Sequence, residues 1–384
     1  MSWLGDDVLI VGACLAGLST AQELRSLGFD GSITMVGEES HPPYDRPALS
    51  KQFLAGDGDE QRLLLPGHDE LAELGITFRP NSTAVAADLA GRTVALHDGT
   101  ELPFGTLVVA TGVAPRPLPT SGPAPLTLRS IADAKRVAAQ LRQRRRVVVI
   151  GAGVLGTELA WAAKSAGCDV QLVGVDPAPL PVLGPAVGEV VSRAITGAGV
   201  TFTGSVGVSD VRSGSDGAQE VLLDDGTVLH ADCVITAVGS VPRVEWLRGN
   251  ELDLSDGLRC DSGCSAAPGV YGVGDVASWW HAGLGDRLRV EHRMNASEQG
   301  RLVASNICGA GRDFTPIPFF WSDQGPNKVV VHGHPTSEAE FEPVVGSLAD
   351  DRFAGVYREH GRVVAVLSWN SPREATRLRR ELVA

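Results

Sequence analysis

No stretch of the 384-residue sequence approaches the run of about 18 apolar residues that a membrane-crossing helix needs, so a membrane protein of that kind is not expected. Metal-binding spacing is missing as well. The six cysteines, at positions 14, 168, 233, 260, 264 and 308, contain no Cys-x-x-Cys, and the close pair Cys260 and Cys264 has no neighbouring histidine. No metal site is expected, and reduced thiols in a cytoplasm are the simplest reading. Basic charge is in short supply: 33 Lys and Arg stand against 46 Asp and Glu, a net charge of −13, which argues against a general nucleic-acid binder. The opening residues MSWLGDD run almost directly into an apolar segment, so no signal peptide is expected. What remains, with 43% hydrophobic and 21% charged residues, is the composition of an ordinary soluble globular chain. Its length allows for about two or three domains with their own cores.

The stretch VLIVGACLAG, Val8 to Gly17, organises the first part of the chain. Val8 to Val11 are four consecutive apolar residues, as expected of a strand buried on both faces of a parallel sheet. Gly12 breaks the run, and from Leu18 the apolar residues Leu18, Ala21, Leu24 and Leu27 recur at every third position, as one face of a helix requires. A strand, a glycine turn and a helix N-terminus together aim unpaired backbone N–H groups and a positive dipole end at one place, which is an anion site. Glu38 follows the next apolar run, Ile33 to Val36, at the spacing where an acid accepts hydrogen bonds from a ribose. Cys14 takes the place of the middle glycine.

The loop HPPYDRPALSKQFL follows. Pro42, Pro43 and Pro47 stiffen it, and Arg46 and Lys51 are its cations. A short helix is expected within 60–80, then strands at Val94 to Leu96 and Leu102 to Val109, with Asp98-Gly99 as a hairpin turn. The second run closes on ATGVAP, which contains Ala110, Thr111 and Gly112. A second copy of the opening pattern then begins at Arg146: a buried strand, Val147 to Ile150, an intact Gly151-x-Gly153-x-x-Gly156, a helix through Leu159, Ala160, Ala163 and Ala166, and a strand from Val170 to Val173. Two such units imply two nucleotides rather than a chance motif. Glu158, two residues past the last glycine, falls in the expected first turn of the helix, where acids are common for dipole reasons alone.

TAVGSVP, with Gly239, repeats ATGVAP in kind. GVYGVGDVA is expected to be a strand ending in Gly274-Asp275, which puts an acid where ligands of parallel sheets bind. VEHRMNASEQGRLVASNI reads as a helix, and from Thr315 the composition suggests a small α+β domain of about 70 residues.

The order GxCxAG, PYDRPALSK, ATGVAPR, LRSIADA, GAGVLGTELA, YGVGDVA, EHRMNASEQG and FFWSDQ resembles the FAD-dependent NAD(P)H:ferredoxin reductases of the putidaredoxin reductase type, which serve oxygenases and cytochromes P450. These belong with the glutathione-reductase-like flavoproteins of the pyridine nucleotide-disulfide oxidoreductase superfamily. The resemblance implies an α/β fold with two Rossmann-like dinucleotide-binding domains and a small C-terminal α+β domain. In residue ranges this is an FAD-binding domain in two parts, 1–116 and 241–314, an NAD(P)H-binding domain at 117–240 and a C-terminal domain at 315–384.

It also implies site roles. Gly12, Cys14, Leu15, Ala16 and Gly17 would hold the FAD pyrophosphate and Glu38 the adenosine ribose. Arg46 and Lys51 would approach the phosphates and the isoalloxazine, Ala84 and Val85 the adenine, and Arg129, Gly274 and Asp275 the rest of the cofactor. Ala110, Thr111, Gly112 and Gly239 would border the nucleotides at the two crossovers. Arg293 and Met294 stand where the family commonly has a tryptophan and its neighbour beside the flavin. Gly151, Gly153, Val154, Leu155 and Gly156 would hold the coenzyme pyrophosphate, and Glu158 would meet the nicotinamide carboxamide. Trp321 would sit near the exposed flavin edge. NADH-selective relatives carry an acid at the end of the next strand, where this chain has Gly174, with Asp176 two residues on. No arginine is placed for a 2′-phosphate and Asp176 would repel one, so NADH is favoured over NADPH.

The implied activity is transfer of a hydride from NADH or NADPH to FAD, followed by single electrons to a small iron–sulfur ferredoxin. No acid–base pair or protein nucleophile is required, and Lys51 and Glu158 are the expected catalytic residues. A disulfide or CoA-disulfide reductase is the alternative in the same superfamily, but the loop His41 to Leu54 holds no cysteine to serve it. A redox-sensing interaction protein controlled by FAD and NADH is an alternative from another class. A monomer or weak homodimer is expected. Because such ferredoxins are acidic and the chain is too, docking needs a locally basic face. Arg301 and Lys328 are its candidates, ahead of Arg373, Arg377, Arg379 and Arg380 in the final helix, against the plainer reading of solvated helix faces.

Overall fold

The computed structural model describes residues 7–382 apart from 57, 66, 215 and 216, so the opening MSWLGD lies outside the described residues. The chain divides into two compact units, the first made of residues 1–45, 61–114 and 241–318 and the second of 46–60, 115–240 and 319–384.

In the first unit a six-stranded sheet runs in the order Ser265–Ala267, Val270–Gly272, Thr106–Val109, Asp7–Val11, Ser32–Val36, Ile76–Arg79. Its neighbours are parallel except for the Ser265 edge strand. Val8 to Val11 are each no more than 3% exposed, as a central strand covered on both faces must be. The helix Leu15–Ser26 returns the chain to the parallel neighbour, burying Leu18, Ala21 and Leu24. Leu27 departs from the expected stripe: the helix stops one residue earlier, and Leu27 is 48% exposed at its C-cap.

The run Leu102 to Val109 is also not one strand. Glu101–Pro103 closes an antiparallel meander with Thr93–Leu96 and Ala84–Asp88, whereas Thr106–Val109 belongs to the parallel sheet. Pro103 has no N–H to continue the ladder. Phe104 turns into the core, and Gly105 N–H picks up Asp7 O at 3.1 Å. The Asp98-Gly99 hairpin forms as read, with Gly99 at φ +85° and Thr100 N–H on Asp98 Oδ1 at 2.9 Å. A short helix, His68–Glu73, precedes Ile76–Arg79. Val270–Gly272 ends before the aspartate, and Gly274–Val276 is a tight turn outside the strand. The helix Arg293–Ile307 completes this unit.

In the second unit a parallel sheet runs Thr201–Thr203, Asp169–Val173, Arg146–Ile150, Cys233–Thr236. The helix Val154–Ser165 buries Leu159, Ala160 and Ala163, while Ala166 is its C-cap. The C-terminal part is a five-stranded antiparallel sheet, Phe319–Gln324, Asn327–Gly333, Arg362–Trp369, Phe353–Glu359, Glu340–Val345. The helix Pro372–Leu378 sets Ala375 and Leu378 on Val330, Val356 and Val366. This is the α/β class expected from the two strand–glycine–helix repeats.

Candidate functional site

The two glycine turns are built alike. Gly12 has φ +123° and Gly151 φ +105°, and a Cβ on either would collide with a backbone carbonyl, Ala110 O in one case and Ala237 O in the other. Gly17 and Gly156 close against the carbonyls of Gly12 and Gly151 in the same way. Glycine is therefore required at Gly12 and Gly151 by both conformation and space, and at Gly17 and Gly156 by space. The helices that follow, starting at Leu15 and Val154, have no side-chain cap and no acid in their first turns. By contrast, the helix Ile131–Leu141 is closed by a Ser130–Asp133 capping box. Uncapped N-termini leave N–H donors for an anionic ligand. Leu15, Ala16, Val154 and Leu155 lie in these first turns. Cys14 turns its thiol back to Ala110 O at 3.3 Å, whereas a Cβ at Gly153 would meet nothing within 4 Å.

In the first unit three backbone ends converge. The position of a Cβ on Gly274, at φ +74°, lies 3.0 Å from Ala16 Cβ and 3.7 Å from Ala296 Cβ, and Gly274 N–H donates to Gln299 Oε1 at 2.7 Å. Beside them Asn295, in the first turn of the Arg293–Ile307 helix, is 5% exposed, and neither of its amide atoms has a partner among the described residues. An unpaired buried amide costs about 1–3 kcal/mol, so a polar ligand at this place would relieve it. Uncapped helix starts, the close Gly274 turn and an orphaned amide together fit a bound dinucleotide such as FAD.

The remaining expected contacts of this unit are distributed as follows. Glu38 is not a vacant acceptor: its carboxylate is paired with Arg243, a residue that the sequence reading passed over. Thr111 Oγ1 donates to Arg243 O at 2.7 Å, and Gly112 takes φ +63°. Ala84 and Val85 sit where the meander's register shifts, with Val85 half exposed. Ala110 is buried, and Asp275 gives its carbonyl to Arg289 Nη1 at 3.1 Å. The Arg293 guanidinium is held by Asp45, and Met294 follows it in the first helical turn.

The second unit holds a dense polar cluster. Glu158, 5% exposed, accepts Ser50 Oγ at 2.6 Å and Lys51 Nζ at 2.8 Å on Oε2, and Ser322 Oγ at 2.7 Å on Oε1. Gln324 Nε2 reaches Ser322 Oγ at 2.8 Å and Thr157 Oγ1 at 2.9 Å. Local structure explains the convergence. Around Pro47 the chain winds through a 3-10 turn, Arg46–Ala48, and then a π-helical turn, Leu49–Phe53, which puts Ser50 and Lys51 on one coil. Along the strand Phe319–Gln324 alternate residues share a face, so Ser322 and Gln324 meet the helix together. Trp321 is on the other face, packed with Phe319 at 6.0 Å on the C-terminal core.

Glu158 is the fifth residue of its helix rather than a first-turn acid, so the dipole explanation does not account for it. Arg46 Nη1 donates to Arg129 O at 2.7 Å, which brings two of the expected cofactor cations together. Gly239, at φ +95°, accepts Arg116 N–H at 3.0 Å. Ser50, Ser322 and Gln324 were not singled out from the sequence, although two-residue alternation within WSDQ marks the last two as sharing a face.

None of the six cysteines forms a disulfide. Burial pushes the Cys260 thiol up to about 12 and Cys233 up to about 11, and raises Cys168 and Cys264 as well, so these sulfurs are poor nucleophiles. Among the described residues no helix is long and apolar enough to cross a membrane.

Comparison with known proteins places the chain among reductases. A family profile described as pyridine nucleotide-disulphide oxidoreductase matches residues 6–300, and one described as reductase C-terminal matches residues 319–384. The ferredoxin–NAD(+) reductase component of the anthranilate 1,2-dioxygenase system of Burkholderia cepacia is 34% identical over 391 residues, 99% of this chain and 94% of its own. The ferredoxin reductase for the CYP199A2 system from Rhodopseudomonas palustris superposes with a TM-score of 0.94 at 30% identity, covering 98% of this chain and 94% of its own. In the covalent putidaredoxin reductase–putidaredoxin complex a chain superposes with a TM-score of 0.93 at 32% identity, covering 98% and 93%.

Proposed function

The chain belongs to the pyridine nucleotide-disulphide oxidoreductase family, and on that premise we propose that it is an NADH-dependent flavoprotein reductase that passes electrons to a ferredoxin feeding an oxygenase or cytochrome P450. The observation that carries this reading is the repeat itself: two uncapped glycine turns of one design, one in each unit, with a buried lysine–glutamate pair in the second unit and no thiol in the segment Arg46–Phe53.

FAD, when bound, supplies the chemistry, since a flavin accepts a hydride and gives up electrons singly. The chain's residues do the rest. The Gly12–Gly17 turn and the starts of the Leu15 and Arg293 helices offer N–H donors to the FAD pyrophosphate, and the Asn295 amide finds partners in the same cofactor. The Gly151–Gly156 turn does the same for NADH. Glu158 holds Lys51 in one position through a charge-assisted hydrogen bond and offers its carboxylate to the nicotinamide carboxamide. Neither residue moves a proton in this scheme, and no nucleophile is needed.

The partner's finer description belongs to the same proposal: a small, acidic iron–sulfur ferredoxin, met by a reductase that is a monomer or weak homodimer. Cysteines that form no disulfide suit a reducing cytoplasm. The alternative disulfide reductase would need a thiol that the Arg46–Phe53 segment does not supply. The test is anaerobic: the FAD-loaded protein should lose its flavin absorbance on one equivalent of NADH and regain it on addition of oxidised ferredoxin. Bleaching that is reversed by a disulfide substrate but not by ferredoxin would overturn the proposal.

A further inference from the structure

Gln324, the last residue of the strand Phe319–Gln324, is fully buried, and its side-chain amide is the hub of a one-way chain of hydrogen bonds. Nε2 has two hydrogens, one given to Thr157 Oγ1 at 2.9 Å and the other to Ser322 Oγ at 2.8 Å. Thr157 turns its own hydrogen back to the second glycine turn, its hydroxyl lying 3.0 Å from Gly153 O and 2.9 Å from Val154 O. Ser322 passes its hydrogen on to Glu158 Oε1 at 2.7 Å. The amide cannot be turned over without loss. Each hydroxyl has a single hydrogen that is already committed, so a glutamine oxygen at that place would face two lone pairs.

The strand is also held in register on the helix. Trp161 follows Glu158 by three residues on the same helical face, and at Gly325, φ +62°, a Cβ would strike the Trp161 indole. The other end of the Gln324 amide is not served by the fold: Oε1 is buried and has no hydrogen-bond partner among the described residues. A buried acceptor left unpaired lowers stability, so this glutamine is not explained by packing alone.

The acceptor count on Glu158 shows what the chain achieves. A carboxylate offers about four lone-pair sites. Ser50 Oγ at 2.6 Å and Lys51 Nζ at 2.8 Å fill those of Oε2, and Ser322 fills one of the two on Oε1. Resting on the reading of Glu158 as the acceptor for the nicotinamide carboxamide, we propose that Gln324, acting through Ser322, is the positioning residue that leaves this group a single place to bind, the remaining lone pair of Oε1. With the Ser322 hydroxyl fixed in direction, one carboxamide N–H meets Glu158 in one orientation, and the nicotinamide ring is held accordingly. Without it, Oε1 presents two sites and the ring loses its fixed angle. The same amide ties Glu158 to the glycine turn through Thr157.

The experiment compares anaerobic stopped-flow reduction of the FAD-loaded protein by NADH and by its reduced 3-acetylpyridine analogue, whose acetyl group has no N–H to give. Ser322→Ala and Gln324→Met should each lower the ratio of the NADH rate to the analogue rate by about tenfold, the equivalent of about 1.4 kcal/mol. Ser322→Thr keeps the hydroxyl and should keep the ratio within about twofold. Thermal midpoints are measured alongside, and Gln324→Met, which removes an acceptor without a partner at nearly constant volume, should remain folded. Equal slowing with both coenzymes would show a structural role and overturn the proposal, as would unmoved ratios in both variants. Failure of NADH and the analogue alike to reduce the unaltered protein would instead overturn the proposed function.

Discussion

Lys51 Nζ stands 2.8 Å from Glu158 Oε2 with the two side chains 13% and 5% exposed, an ion pair almost closed to water. Breaking such a pair from one side leaves a buried charge uncompensated, at a cost of about 3 kcal/mol or more. Glu158→Ala should therefore destabilise the protein more than Lys51→Ala, because the carboxylate keeps Ser50 and Ser322 when the lysine is lost. The double variant should be more stable than the sum of the singles implies. Both single variants should slow flavin reduction by NADH by about tenfold, the weight of one charge-assisted hydrogen bond. Stopped-flow traces at the unaltered rate in both would remove Lys51 and Glu158 from the catalytic site.

His332 provides a pH dependence. Burial, with the Arg379 charge adding to it, pushes this imidazole down to about 4, and its ring packs 4.7 Å from Phe319. A histidine held neutral in the folded state binds fewer protons there than in the unfolded chain. The stability this represents is present above the ordinary histidine range and is lost as pH falls from about 6.5 towards 4, at about 1.4 kcal/mol for each unit of displacement. Thermal midpoints of the unaltered protein should fall across this window, and those of His332→Phe should fall less. Parallel curves would show that His332 does not drive the loss.

The basic docking residues make a third prediction. Arg301 is exposed on its helix, and Lys328 is half exposed with its amine 3.6 Å from Asp323. Arg377, one of the terminal arginines, is already held by Glu374 at 2.7 Å. Arg301→Glu and Lys328→Glu should each raise the KM for an acidic ferredoxin several-fold and flatten its salt dependence, because rim charges act mainly on encounter. Ferricyanide reduction by NADH should be unchanged. An equal loss with ferricyanide would mean that the residues support the fold or the flavin.

The glycine turns were legible because their requirement is local: a carbonyl behind Gly12 or Gly151 admits no Cβ, and the letter records it. Glu158 was reached through the family resemblance rather than a local requirement, and its setting was misjudged by one turn, since periodicity does not fix where a helix begins. Leu27 and the run Leu102 to Val109 show the same limit at element ends. The partners of the acids were not legible at all. Arg243 lies 205 residues from Glu38, and Ser322 lies 164 from Glu158, so no spacing rule connects them.

Electron delivery from NADH to a ferredoxin is tested by cytochrome c reduction by the FAD-loaded protein with NADH, with and without ferredoxins from the same genome. Reduction should be slow with the reductase alone and should rise in proportion to one added ferredoxin. Equal rates with and without every ferredoxin, while NADH is still consumed, would contradict it.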